Sequence, residues 1–305
     1  MASNVLRHIC LTLSTNDKLQ YGIIFVQLTY KHTVMSLPKP SNDRYNTIGG
    51  GYDETRKADP FLAERMHALL EPKSEQDTFA EIGCGTGNYT IALHQMGLSM
   101  IGVEPSLNMI EKARQKNQNI SWIQGAAESI PLDDSSVNGV LLCLTIHHWK
   151  DLGAGMLEIS RVLKPGGRLV LFTTLPEQTK AYWLNHYFPK MIDDSIAILP
   201  TKSEIERAYE MAGLNILHRE PYDVKPDLKD QFLFCGKHNP RLYFDQNIRR
   251  GISSFSLLAY REEVNAGLAQ LQSDIDSGRF TEVQRKHETT LGDYLFVVGE
   301  KSPST

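Results

Sequence analysis

The chain reads as an α/β protein built on a doubly wound, mostly parallel, seven-stranded sheet, and three observations carry that reading. Short β-type runs alternate with amphipathic helical runs from residue 61 onward. A glycine turn joins the first strand to its helix, and the fifth strand is the near-continuous apolar run of a strand covered on both faces. Such alternation places ligands at the carboxyl ends of the strands.

The elements follow in order. Residues 61–70 set Phe61, Leu62, Met66, Leu69 and Leu70 on one helical face, with Pro60 at the start and Pro72 past the end. A strand at 78–82 runs into Gly83-Cys84-Gly85-Thr86-Gly87, and 88–95 reads as the helix after it. A second strand, 98–103, closes on Glu104 and is followed by a helix at 107–115. Strands at 120–124 and 137–144 flank the turn-rich 131–136. An amphipathic helix at 152–163 ends at Lys164-Pro165-Gly166-Gly167 and hands over to the strand 168–174. A helix at 201–212, a sixth strand at 214–219 and a last strand at 293–300 complete the set.

Two stretches are too long to be connections in a compact sheet, 176–200 and 225–290, and the second holds a helical pattern at 262–275. They predict a helical cap over the strand ends, within one domain spanning 35–305 whose core covers about 45–175, 201–224 and 291–301. Residues 1–34 read as a poorly ordered extension, with Met35 opening the working protein. The apolar run 21–30 is too short to span a bilayer, follows Asp17 and Lys18, and precedes no small-residue cleavage site.

Charge narrows the partners. With 32 basic against 36 acidic residues and no long run of one sign, the electrostatic footprint of a nucleic-acid binder is missing. Cys10, Cys84, Cys143 and Cys235 are scattered, form no Cys-x-x-Cys pair and have no metal-ligand spacing to histidines, which predicts a reducing, cytoplasmic setting and no metal.

A Gly-x-Gly-x-Gly turn after a strand lets a ligand approach main-chain N–H groups at a helix N-terminus. Alone it also suits NAD or FAD proteins, or plain close packing. Glu104 adds weight, because a carboxylate ending the next strand can accept from both hydroxyls of a ribose.

At this point the residues resemble a family. Residues 79–90 (FAEIGCGTGNYT) look like motif I of class I S-adenosylmethionine-dependent methyltransferases of the small-molecule, ubiquinone-biosynthesis type, and 102–109 (GVEPSLNM) like the motif after it. Residues 125–132 (GAAESIPL), 142–149 (LCLTIHHW) and 158–171 (EISRVLKPGGRLVL) resemble the later motifs in the same order. The resemblance implies S-adenosylmethionine as methyl donor, S-adenosylhomocysteine as product, and a small-molecule acceptor, apolar or aromatic, methylated on O or N ahead of C.

Carried over residue by residue, the resemblance sets the cofactor's amino-acid end against Glu81, Gly83, Cys84, Gly85 and Gly87, and its ribose on Glu104. Met109 packs on the adenine, Ala126 and Ala127 border its amine, and Leu144 offers main chain near the methionine moiety. Many relatives carry Asp where this chain has Ala126, so Glu128 or backbone carbonyls must substitute. Residues 45–56 (YNTIGGGYDETR) resemble a lid segment, with Tyr52 and Arg56 facing the cofactor, although three glycines at 49–51 also suit a surface turn. His147, and after it His148, stand where a base for a hydroxyl acceptor belongs, with a strand cap as the plain alternative.

Two other readings remain open on sequence: a non-catalytic binder of the same fold, and an NAD-linked oxidoreductase. The second expects Gly-x-Gly-x-x-Gly, whereas Gly83, Gly85 and Gly87 alternate strictly.

Overall fold

The computed structural model describes residues 52–303. The expected extension at 1–34 and the glycines at 49–51 lie outside the described residues. Seven strands form one sheet in the order β3-β2-β1-β4-β5-β7-β6, where β1 is Thr78–Ile82, β2 Ser99–Glu104, β3 Ser121–Gln124, β4 Val137–Cys143, β5 Leu163–Thr173, β6 Leu214–Tyr222 and β7 Tyr294–Lys301. The first five pair in parallel, and β7 alone runs antiparallel, between β5 and β6. β7 has a strand on either side, and it is buried along nearly its whole length.

Strand periodicity divides the core into two faces. Leu141, Val170, Phe172, Phe296 and Val298 point toward the helix Pro60–Leu70 and the long insertions. Their neighbours Val140, Leu142, Leu169, Leu171, Leu295 and Val297 point toward the helices Leu152–Val162 and Lys202–Met211. The helices begin where local chemistry caps them. Asp59 accepts from Leu62 N at 3.1 Å with Pro60 at the first turn, and Asp151 accepts from Ala154 N at 3.0 Å.

Two expectations need correction. Phe61 is not on the buried face: it is 45% exposed and stacks on Tyr222, while Ala63 takes the core position. Lys164–Gly167 is not a helix-to-strand turn but part of β5, which starts at Leu163 and bulges before rejoining β4 at Arg168, with Gly166 at φ +74° absorbing the irregularity. β6 also runs on to Tyr222, beyond the expected end.

The insertions are built of short helices. The first holds Pro176–Ala181, Leu184–Tyr187 and Pro189–Ile196; the second holds 3-10 turn Pro240–Phe244, helix Gln246–Gly251, a π-helical turn Ser254–Leu258, and helices Arg261–Asp276 and Phe280–Lys286. Their apolar residues share one cluster with the sheet, through contacts such as Phe172–Phe232 and Phe234–Tyr294, with centroids 6.1 and 4.9 Å apart. Of the aromatic residues in these insertions, most fill this core rather than a ligand surface.

Candidate active site

A cavity of about 250 Å³ opens at the carboxyl ends of β1, β2 and β4, where the parallel topology predicts a ligand. Its first half is the glycine turn. The amides of Gly83 and Cys84 donate to the Val103 carbonyl at 2.8 and 3.1 Å, which ties the turn to the end of β2. Glu104 closes the loop: Oε2 accepts from Gly85 N and Oε1 from Ser106 N, both at 3.0 Å. Burial raises the Glu104 carboxyl above its ordinary value, with the two amide bonds opposing.

The three turn glycines have different reasons to be glycine. All take positive φ, +74°, +55° and +77° for Gly83, Gly85 and Gly87. A side chain on Gly83 would strike Thr145, and one on Gly87 the Trp122 indole. Gly85 faces open space, so only there is room kept for something other than the protein.

Glu81 lies beneath the turn, buried, and accepts from the Thr90 hydroxyl. Burial pushes its carboxyl up to about 8. Met109 is buried on the wall, and its N–H meets the Ser106 hydroxyl at 3.4 Å. Ala126, Ala127 and Glu128 also line the cavity. The Ala126 carbonyl accepts from Ser129 N at 3.1 Å, and Glu128 Oε1 accepts from Lys150 N at 2.6 Å, tying this loop to the one after β4.

β4 ends in a forced bend. Leu144 sits at φ +49°, a conformation that disfavours a side-chain-bearing residue by roughly 1–2 kcal/mol, and its N–H donates to Phe172 O at 2.9 Å. The bend leads into the 3-10 turn Ile146–His148, which presents both histidines to the cavity, their rings 3.9 Å apart. Burial lowers His147 to about 4, with the nearby Arg56 charge adding to the effect, and His148 falls well below its ordinary value. Both are neutral at pH 7.

The far half is lined from the insertions by residues including Ser195, Leu199, Phe232, Ile252 and Ser254. Ser195 Oγ lies 2.7 Å from the Met191 carbonyl and 2.9 Å from Ser254 Oγ, joining the two insertions. Arg56 stands between the halves. Its Nε donates to Asp230 Oδ1 at 2.5 Å, and Tyr89 donates its hydroxyl to Asp230 Oδ2 at 3.2 Å. Burial raises Asp230 from its ordinary value, against the opposing pull of Arg56.

Every residue singled out from the sequence lines this cavity except two. Gly87 is packed under Trp122 and off the wall, and Tyr52 has a side chain outside the description. Asp230, Lys116 and Asn88 were missed. Lys116 donates to Asp53 Oδ1 at 2.5 Å, to Thr86 O at 2.9 Å and to Asn88 Oδ1 at 2.8 Å, and Asn88 Nδ2 donates to Arg56 O at 2.5 Å. Asp230 lies in a run of charged surface-type residues, and Lys116 at the end of an amphipathic helix, so neither carried a signal.

Comparison with known proteins bears on the family and the fold. Residues 80–171 match the family described as a methyltransferase domain. The chain is similar to a putative methyltransferase from an antibiotic biosynthesis pathway of Anabaena variabilis, whose crystal structure aligns with TM-score 0.71 at 33% identity over 80% of this chain and 98% of that one. It is 26% identical over 257 residues to a biotin biosynthesis bifunctional protein BioHC of Cellvibrio japonicus, covering 74% of this chain and 50% of that protein. A demethylmenaquinone methyltransferase of Staphylococcus haemolyticus is 26% identical over 209 residues, 60% of this chain and 85% of its own. The chain spans about half the length of the first curated relatives it matches. The motif order, the seven-stranded sheet with its reversed last strand and the Anabaena likeness agree, and the chain belongs to the class I S-adenosylmethionine-dependent methyltransferases.

Proposed function

We propose that the chain moves a methyl group from S-adenosylmethionine to a small-molecule acceptor, on oxygen or nitrogen ahead of carbon. One observation carries this reading: a single cavity joins an open-faced glycine turn and its strand-end carboxylate to a half-apolar chamber under the insertions. Bound there, the sulfonium supplies an electrophilic methyl group and leaves as S-adenosylhomocysteine.

The residues fit that ligand by their chemistry. Each Glu104 oxygen keeps a second lone pair after its amide bond, enough for two ribose hydroxyls. Glu81, held near 8 by burial, is the group whose ionised form a cationic amino group would favour. Gly85 keeps a space that any side chain would fill. Met109 and Ala127 supply an apolar wall for a flat ring.

At the junction, His147 is unprotonated across the physiological range and takes a hydroxyl proton at a ring nitrogen. Walls that hold acceptor and methyl in line would lower the barrier by positioning alone. The name of the Staphylococcus relative, a demethylmenaquinone methyltransferase, supports an apolar ring acceptor. The scattered free cysteines Cys84, Cys143 and Cys235 support a reducing cytoplasmic setting.

The test is calorimetric titration with S-adenosylmethionine, followed by incubation with metabolite extracts and a search for mass gains of one methylene. Glu104→Ala is expected to weaken binding about a hundredfold, since it removes the ribose contacts and frees two amides. His147→Ala is expected to slow turnover at unchanged cofactor affinity. Binding without any methylated product would leave the chain a cofactor-binding protein; no binding would overturn the reading.

A further inference from the structure

Residues 53–59 are held to the rest of the protein at two places of different character. On the glycine-turn side, Asp53 Oδ1 accepts from Lys116 Nζ and from the Thr86 hydroxyl, both at 2.5 Å. That pair is part-open, with side chains 27% and 33% exposed. On the insertion side the attachment is buried, with Arg56 and Asp230 only 16% and 3% exposed. Main chain reinforces it: Gln231 N donates to Thr55 O at 3.0 Å, and Lys229 N donates to Asp59 Oδ2 at 2.9 Å. Gly251 packs so closely on Thr55 that a β-carbon there would collide with its hydroxyl. The same short stretch of insertion continues from Asp230 into Phe232 and Leu233, which line the acceptor chamber.

Resting on the cofactor reading above, we infer that Asp230 is a positioning residue: it ties the segment bonded to the glycine turn to the wall of the acceptor half, so that cofactor binding orders that wall. Segment 53–59 cannot lift from the glycine turn without pulling on the buried Arg56–Asp230 pair, and Asp230 cannot move without carrying Phe232 and Leu233. The buried pair, rather than the exposed Lys116 one, transmits the motion, because a desolvated charge-assisted bond with main-chain support resists rupture while a solvated one exchanges with water. Cofactor binding therefore favours the completed chamber, and by the reciprocity of coupling an occupied chamber favours the cofactor.

Hydrogen–deuterium exchange of the full chain with and without S-adenosylhomocysteine tests this. In the wild type, ligand is expected to slow exchange at 83–90 and also at the remote 228–236. Asp230→Asn is expected to keep the first protection and lose the second, with S-adenosylhomocysteine released about tenfold faster in stopped-flow. Asp230→Glu, which keeps the charge, is expected to recover part of both. Should Asp230→Asn fail to fold, Arg56→Gln cuts the same pair from its other side and is expected to free 228–236 likewise. Persistent protection of 228–236 in the cut pair, or none in the wild type, overturns the inference. Loss of protection at 83–90 in the wild type overturns the cofactor reading, and this inference with it.

Discussion

The two halves of the cavity are built by opposite means. The cofactor half is local: Glu81, the glycine turn, Glu104 and Met109 come from one consecutive strand–helix–strand–helix run, and Glu104 lies 19 residues from the Gly85 amide it binds. Its shape is set by main chain, the positive-φ glycine turn and the amides that hold Glu104, around the Glu81 and Glu104 carboxylates. The other half, proposed for the acceptor, is assembled from the end of β4 and both insertions, and is tied to segment 53–59 by the Arg56–Asp230 pair, which spans 174 residues. It is joined by side-chain contacts such as Arg56–Asp230 and Ser195–Ser254, with main-chain support from the bond of Gln231 N to Thr55 O. A site shaped by one local turn tolerates sequence change wherever the backbone path survives, whereas a chamber assembled from distant segments is altered by substitution in any of them.

The sharpest way to break this contrast is Gly85→Val. The backbone there has φ +55° and the new side chain would enter the ligand space, so S-adenosylmethionine affinity is expected to fall by at least about a hundredfold in calorimetry. Retained affinity would show that the turn does not receive the ligand. Gly87→Ala sharpens the same point two residues along. Its methyl would meet Trp122, so the expected loss is about 2 kcal/mol of stability by denaturant unfolding, with cofactor affinity within about threefold at temperatures where the fold survives.

The third test uses pH. Folded Glu81 holds its proton up to about 8 while the unfolded chain releases it near 4.5, so the native state binds more protons across that window and loses stability as pH rises through it. His147 works the other way, being neutral in the fold down to about 4 while the unfolded chain is protonated below 6.5, so stability falls as pH drops from 6.5 toward 4. Glu81→Gln is expected to remove the first slope only, gaining on the ligand-free wild type as pH rises from 4.5 to 8 in thermal melts. A gap between the two proteins that ignores pH would mean Glu81 is ionised in the fold. The smallest effect is expected from Lys116→Ala, under about 1 kcal/mol in either stability or cofactor binding, because its ion pair is part-solvated.

These differences explain what the sequence made legible. Periodicity located all seven strands because their apolar residues alternate onto two buried faces, and the glycine spacing located the turn. Neither pattern distinguishes why a glycine is needed, so Gly87 read as a ligand contact although Trp122, across the turn on β3, is what demands it. Phe61 read as core because helical spacing sees the face but not its edge, where Tyr222 and Lys225 cover the ring only partly. Asp230 was invisible for a simpler reason: its partners Arg56 and Tyr89 lie 174 and 141 residues away, and nothing local marks a carboxylate that only tertiary packing buries.

Phe232 belongs at once to the cavity's far wall and to the aromatic cluster with Phe172 and Tyr294, whose centroids lie 6.1 and 4.7 Å from its own. Any attempt to widen the chamber there, by evolution or by design, also removes a keystone between sheet and insertion, a truncation that typically costs about 3–5 kcal/mol. In the proposed acceptor site, shape changes more readily through Leu199, which lines the same cavity but lies outside that buried cluster, and drift of specificity is channelled by what the foundations can spare.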